Sequence, residues 1–182
     1  MTDNNDANKP HDETNASDQV EVNELLLKKI GKILQLVLEE NKSLKNYKEK
    51  LTAQKDMSFT SYNKPSLSVI DYLIRIATYS EAEDNTIILS LIYIDRITEL
   101  SSIILTPYNV HRLVFTAVLI AIKYNEDVCF GFNFYATVAG VPIKELKLLE
   151  RDFIDLIKFK LYVKKEEFEK YKLYINDINV DD

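Results

Sequence analysis

The strongest apolar run is Leu113-Val-Phe-Thr-Ala-Val-Leu-Ile-Ala-Ile122, which holds no charge and one hydroxyl before Lys123 closes it. A first-turn proline is tolerated at Pro107, and Thr106 can act as its N-cap, so the pattern predicts a helix over about 107–124. A helix apolar on nearly every side must be wrapped by other helices of the same domain. A transmembrane span needs about 20 apolar residues, which this run does not reach, so it is expected to be the central post of a soluble domain.

The flanking pattern predicts the wrapping helices. Ser68 and Asp71 form a capping-box spacing, with Val69, Ile70, Leu73, Ile76 and Ala77 on the inward face of a helix to about Tyr79. Asp84 or Asn85 caps a second helix carrying Ile87, Ile88, Leu91, Ile92, Ile94 and Ile97 to near Leu100. After the central run come a short helix, Asn133 to Ala139, stopped by Gly140, and a fifth from Pro142 to about Phe159. Glu166 to Tyr174 suggests one more short polar helix. Upstream, Leu27, Ile30, Leu34, Val37, Asn41, Leu44, Lys48 and Leu51 recur in steps of three and four, predicting one amphipathic helix over Val22–Leu51. Its stripe fits either a helix laid along its own domain or a short coiled-coil seam, the latter weakened by Asn41, Lys48 and Gly31.

The expected fold class is therefore all-α, a five-helix unit built around its central buried helix, with an N-terminal amphipathic helix and a short C-terminal helix. Its segments are a disordered acidic tail (1–19), an amphipathic helix (20–52), a polar linker ending at Pro65 (53–65), the helical domain (66–175) and a C-terminal tail (176–182).

Composition narrows the class further. Three glycines and four prolines are too few for the turns of an all-β fold. A net charge of −6 with no sustained basic stripe argues against nucleic acid as a partner. One cysteine permits no intrachain disulfide, and no signal peptide is readable, so an intracellular protein is expected. Two histidines and one cysteine offer no ligand pair at helical spacing, and the three glycines never cluster into a phosphate loop. No metal, cofactor or catalytic residue is expected. His111 reads as structural, and Cys129, following an acidic pair, reads as a small buried or loop residue and not an activated nucleophile.

Several stretches, in order, resemble a cyclin box: Pro65-Ser-Leu-Ser-Val-Ile-Asp-Tyr-Leu-Ile-Arg-Ile, Leu91-Ile-Tyr-Ile-Asp-Arg-Ile, Asn109-Val-His-Arg-Leu, Ala121-Ile-Lys-Tyr, Val138-Ala-Gly-Val, Glu145-Leu-Lys-Leu-Leu-Glu and Glu166-Glu-Phe-Glu-Lys-Tyr. They look most like P-type or U-type cyclins related to the yeast phosphate-signalling cyclin, over about residues 60–175. The resemblance implies a non-catalytic regulatory subunit that binds and activates a cyclin-dependent protein kinase, is monomeric without it, and contacts neither nucleic acid nor membrane. It places partner contacts on Ile120, Lys123 and Tyr124 of the third box helix, and on Glu150, Ile154, Phe159 and Leu161 of the fifth and beyond. A rival is a helical interaction module of the same fold with a non-kinase partner.

Without the resemblance, Lys123 reads as a cation favoured near a helix C-terminus, and Glu150 as a surface partner for Lys147 or Arg151. Cell-cycle cyclins carry an Arg early in the first box helix that pairs with the Asp matched by Asp95. Here Ser66 stands in that place, so Asp95 is expected to find a donor among its helical neighbours or in Arg75. Pro65-Ser66 also fails to reproduce the apolar patch that docks substrates in those cyclins. The acidic corner Glu126-Asp127 is expected as a solvated loop, or as a contact for an arginine of a kinase activation segment.

Overall fold

The computed structural model describes residues 22–180, and the predicted acidic tail lies outside them. The described residues form eight helices and no strand: α1 (Glu24–Lys42), α2 (Tyr47–Ala53), α3 (Val69–Ser80), α4 (Asp84–Leu100), α5 (Val110–Asn125), α6 (Phe132–Ala139), α7 (Ile143–Leu156) and α8 (Lys165–Asn176). α5 is the post that its composition predicts. Every residue from Leu113 to Ile122 is buried, and α3, α4, α6 and α7 pack around it. α1 lies across α3, α4 and α8.

The predicted Val22–Leu51 helix is two helices, broken at 43–46. α1 stops where Ser43 and Leu44 turn their amides back to Glu40 and Asn41. Asn41, a defect in the apolar stripe, donates Nδ2 to the Leu105 carbonyl at 3.0 Å. Gly31 is equally a fit and not a flaw: a Cβ there would stand 2.5 Å from Ile70 Cγ1, so its absence lets α1 close on α3.

The polar stretch predicted as a linker is packed. Phe59 is 1% exposed and meets the Phe153 ring edge-on at 6.2 Å. Buried Gln54 accepts the Ile104 amide with Oε1 at 3.0 Å.

α5 begins three residues later than the Pro107 reading, because Asn109 takes over the turn. Its Oδ1 accepts the Thr106 amide at 2.8 Å and its Nδ2 donates to Ile104 O at 2.9 Å. Thr106 thus closes a turn instead of capping a helix. The Ser68 cap of α3 is present, with Asp71 N–H donating to Ser68 Oγ at 3.0 Å. α4 starts after Glu83, and Asp84 instead accepts from Asn23 Nδ2 at 2.7 Å. α6 ends on Gly140 at φ +71°, with Val141 N–H reaching back to Ala136 O. α7 ends at Leu156 and not near Phe159, since Lys158 and Phe159 both take left-handed backbone (φ 54° and 58°).

Candidate functional site

The last turn of α5 sends Lys123 out of the core beside α6 and α7. Its Nζ donates to Glu150 Oε1 at 2.5 Å, with side-chain exposures of 28% and 22%. The same ammonium stands 4.0 Å from the centroid of the Phe132 ring, and Lys147 approaches that ring at 5.4 Å. Lys123 therefore pairs with Glu150 and not merely with the helix end, and Glu150 is not used by Lys147 or Arg151. Arg151 instead meets Asp152. An ion pair so placed at a rim adds little stability, yet both charges stay close to the surface.

Around the pair the expected residues divide. Tyr124 is 51% and Phe159 74% exposed, while Ile154 and Leu161 are half-buried against the core. Ile120 is different: at 3% exposure its side chain faces inward, where it supports the α5 terminus and offers no surface for a partner. Helical spacing puts Ile120 near Lys123 but on the side that packs inside.

The segment after α7, residues 157–163, is held from behind by α4. Tyr93 donates its hydroxyl to Leu161 O at 3.0 Å. Arg96 Nη1 donates to Lys160 O (2.6 Å) and Tyr162 O (2.9 Å), and its Nη2 to both carboxylate oxygens of Glu167 on α8. A planar fork with several fixed donors can bridge carbonyls and a carboxylate at once. The result is a strap whose backbone is fastened while Phe159 and Tyr162 project into solvent. Two consecutive non-glycine residues with positive φ cost of order 1–3 kcal/mol each, which this clamp and the buried Ile157 beside them offset.

Asp95 finds neither Arg75 nor a helical neighbour. Its Oδ2 accepts the Tyr171 hydroxyl at 2.8 Å, so α8 supplies the donor that Ser66 cannot. Burial pushes the Asp95 carboxyl above the ordinary range, against the lowering effect of that hydrogen bond, and Tyr171 is raised by burial and by the same carboxylate. Glu126 is not a free acid: its Oε1 accepts the Glu83 amide at 3.1 Å, at the entrance to α4, whereas Asp127 is exposed. Cys129 is exposed in its loop.

His111 lies near the start of α5, against the ring of Tyr72. Its Nε2 sits 2.8 Å from Leu67 O, and burial lowers its pKa. Among the described residues no cluster of His, Cys, Asp or Glu could hold a metal ion, and no helix is long and apolar enough to cross a membrane.

Sequence reasoning missed Phe132, Tyr93, Arg96 and Tyr162. From sequence alone Asp95-Arg96 reads as a structural capping or buried pair, and the structure sends the two side chains to different partners on α8 and the strap. The only available signal was that adjacent helical residues point to different sides.

The amino-acid sequence of this all-α chain matches one family across most of its length. The family model described as cyclin matches residues 2–161. Cyclin-U4-3 of Arabidopsis thaliana is 35% identical over 144 residues, covering 79% of this chain and 63% of that protein. Cyclin-P3-1 of Oryza sativa subsp. japonica is 36% identical over 117 residues (64% and 50%), and cyclin-P4-1 of the same species 33% over 115 (63% and 54%). The chain spans between half and just under two thirds of these relatives. It belongs to the cyclin family, and it resembles the U-type and P-type members.

Proposed function

We propose that this chain is an intracellular regulatory subunit, monomeric alone, that binds a cyclin-dependent protein kinase and holds it active. The observation that carries this reading is the Lys123–Glu150 pair, bridging α5 and α7 over Phe132 and flanked by exposed Tyr124 and Phe159. A charge pair bordered by exposed apolar side chains suits the polar rim of an interface whose core those side chains form. The contact set is Lys123, Tyr124, Glu150, Ile154, Phe159 and Leu161, with Ile120 beneath it. A kinase needs the Lys–Glu pair of its small lobe assembled before ATP phosphates align. A partner that binds only that arrangement shifts the population toward it. Moving the ratio from 1:99 to 99:1 takes about 5.5 kcal/mol of differential binding, within reach of a modest apolar interface.

The test uses Lys123→Glu, Glu150→Lys, the double reversal and the parent chain, measuring melting temperature and kinase affinity on each. Single reversals place like charges together, so melting temperature falls in both and recovers in the double variant. Kinase affinity falls by roughly 30-fold or more in the single variants, from a binding loss of about 2–5 kcal/mol. It stays low in the double variant, because the partner meets the wrong signs. Affinity that recovers with stability makes the pair an internal bridge only, and failure to bind any cyclin-dependent kinase favours the non-kinase interaction module.

A further inference from the structure

Residues 45–64 differ electrostatically from the rest of the chain. They carry Lys45, Lys48, Lys50, Lys55 and Lys64 against Glu49 and Asp56, in a chain of net charge −6. Among the described residues none of these five lysines enters an ion pair. The same segment borders a groove of about 460 Å³ whose lining includes Leu51, Lys55, Asp56, Ser61, Tyr62 and Tyr108.

The groove is built on fixed backbone. Ser61 donates both its amide (2.8 Å) and its hydroxyl (2.7 Å) to Tyr108 O, which ties the loop after α2 to the turn before α5. The next side chain, Tyr62, is 96% exposed, so its ring stands free on an anchored chain. The lining itself carries one ammonium, Lys55, and one carboxylate, Asp56, and Lys48, three and four positions before Leu51 and Thr52, shares their face of α2 beside the groove. An apolar floor flanked by unpaired ammonium groups, on a protein otherwise negative, selects for opposite charge by long-range attraction and repels it elsewhere.

We propose that this groove docks an extended acidic peptide of a partner protein. One apolar side chain sits among Leu51, Tyr62 and Tyr108, and carboxylates on either side of it face Lys48 and Lys55. The volume lies within the range of clefts that enclose a small ligand or anchor side chains, about 300–1,000 Å³. The surface shares no residue with the proposed kinase contact set, so it stands or falls independently of that reading.

The experiment uses a fluorescein-labelled nonapeptide with a central leucine flanked by aspartates and glutamates, and a counterpart with lysines in their place. Anisotropy is read against the full chain at low and high salt. The acidic probe is expected to saturate and to weaken with salt, with the lysine probe at least tenfold weaker. Lys48→Glu with Lys55→Glu is expected to weaken the acidic probe at least tenfold, and Tyr62→Ala several-fold, at unchanged melting temperature. Equal binding of the two probes, no saturable binding, or indifference to the double reversal overturns the proposal. Binding that emerges only after Asp12→Asn, Glu13→Gln and Asp18→Asn gives the groove to the chain's own acidic segment. A dimer lost on the double reversal gives it to a second copy. Either result overturns the partner assignment.

Discussion

At its N-terminal end α5 is preceded by a turn in which Asn109, 2% exposed, satisfies the Thr106 amide and the Ile104 carbonyl, while Gln54 and Asn41 answer Ile104 N–H and Leu105 O. At its C-terminal end Lys123 meets Glu150 with about a quarter of each side chain still open, and Tyr124 beside it is half exposed. Both ends are polar, but the partners differ in kind. Buried amides bonded to backbone have no substitute partner, so their loss is charged to folding. A rim charge can exchange one partner for another, so its loss is charged mainly to binding and only slightly to folding.

The largest expected effect tests the closed end. Asn109→Ala leaves a buried amide and a buried carbonyl without their partner, which costs about 3 kcal/mol and lowers the melting temperature by about 10 °C. Kinase affinity measured where the variant is folded should be unchanged. A tenfold loss there would mean that the two ends are coupled and the comparison is wrong.

An intermediate effect tests the strap beside the open end. Arg96→Ala removes the donors to Lys160 O and Tyr162 O and frees Glu167. Stability should fall by about 2 kcal/mol, limited trypsin digestion should cut after Lys158 or Lys160, and kinase affinity should fall about tenfold. Arg96→Lys should not restore it, because a single ammonium cannot span the carbonyls and the carboxylate together. Unchanged digestion would show that Tyr93 and packing alone hold the strap.

The smallest effect comes from Asp95. Its folded carboxyl is raised by burial, so the folded chain holds that proton more tightly than the unfolded one. The associated stabilisation is present below the ordinary value of 3.8 and is lost as pH rises through the folded value. Asp95→Asn keeps an acceptor for Tyr171 without the buried charge and should gain about 0.5 kcal/mol at pH 7. The gain should shrink as pH falls and vanish below about pH 3.8. A gain that grows on acidification would reverse the assigned sign.

Helix existence was legible from periodicity, because the buried stripes of α1, α3, α4, α5 and α7 are long enough to show their period. The Ser68 start of α3 and the Gly140 stop of α6 were legible too, but the ends of α1 and the start of α5 were not. At Asn41 and Gln54 a polar side chain answers backbone groups 64 and 50 residues away, so a residue that locally reads as a defect or a linker is a connector, while Asn109 closes a local turn three and five residues back that takes the place of the expected cap. Lys123 and Glu150 do meet, as two charges one turn from apolar neighbours allow. Ile120 shows the limit of that reasoning, since spacing gives proximity along a helix but not which side faces the core. The replacement of an arginine by Tyr171 as the Asp95 donor was invisible, because it comes from 76 residues away.

The contact of α1 with α8 predicts an order in which the fold closes. Lys29 Nζ donates to Asn176 O across 147 residues, and buried Ile175 sits where the two helices meet. Contacts of such separation are the slowest to form, since the intervening chain must first be confined. α1 is made first, yet its cover is complete only after α8 has been made and has docked. Until then, among the described helices, α3 and α4 cover the apolar face of α1. Refolding should therefore show early protection of amides in α4 and α5 and late protection in α1 and α8, so that the chain closes like a clasp whose two halves are its most distant helices.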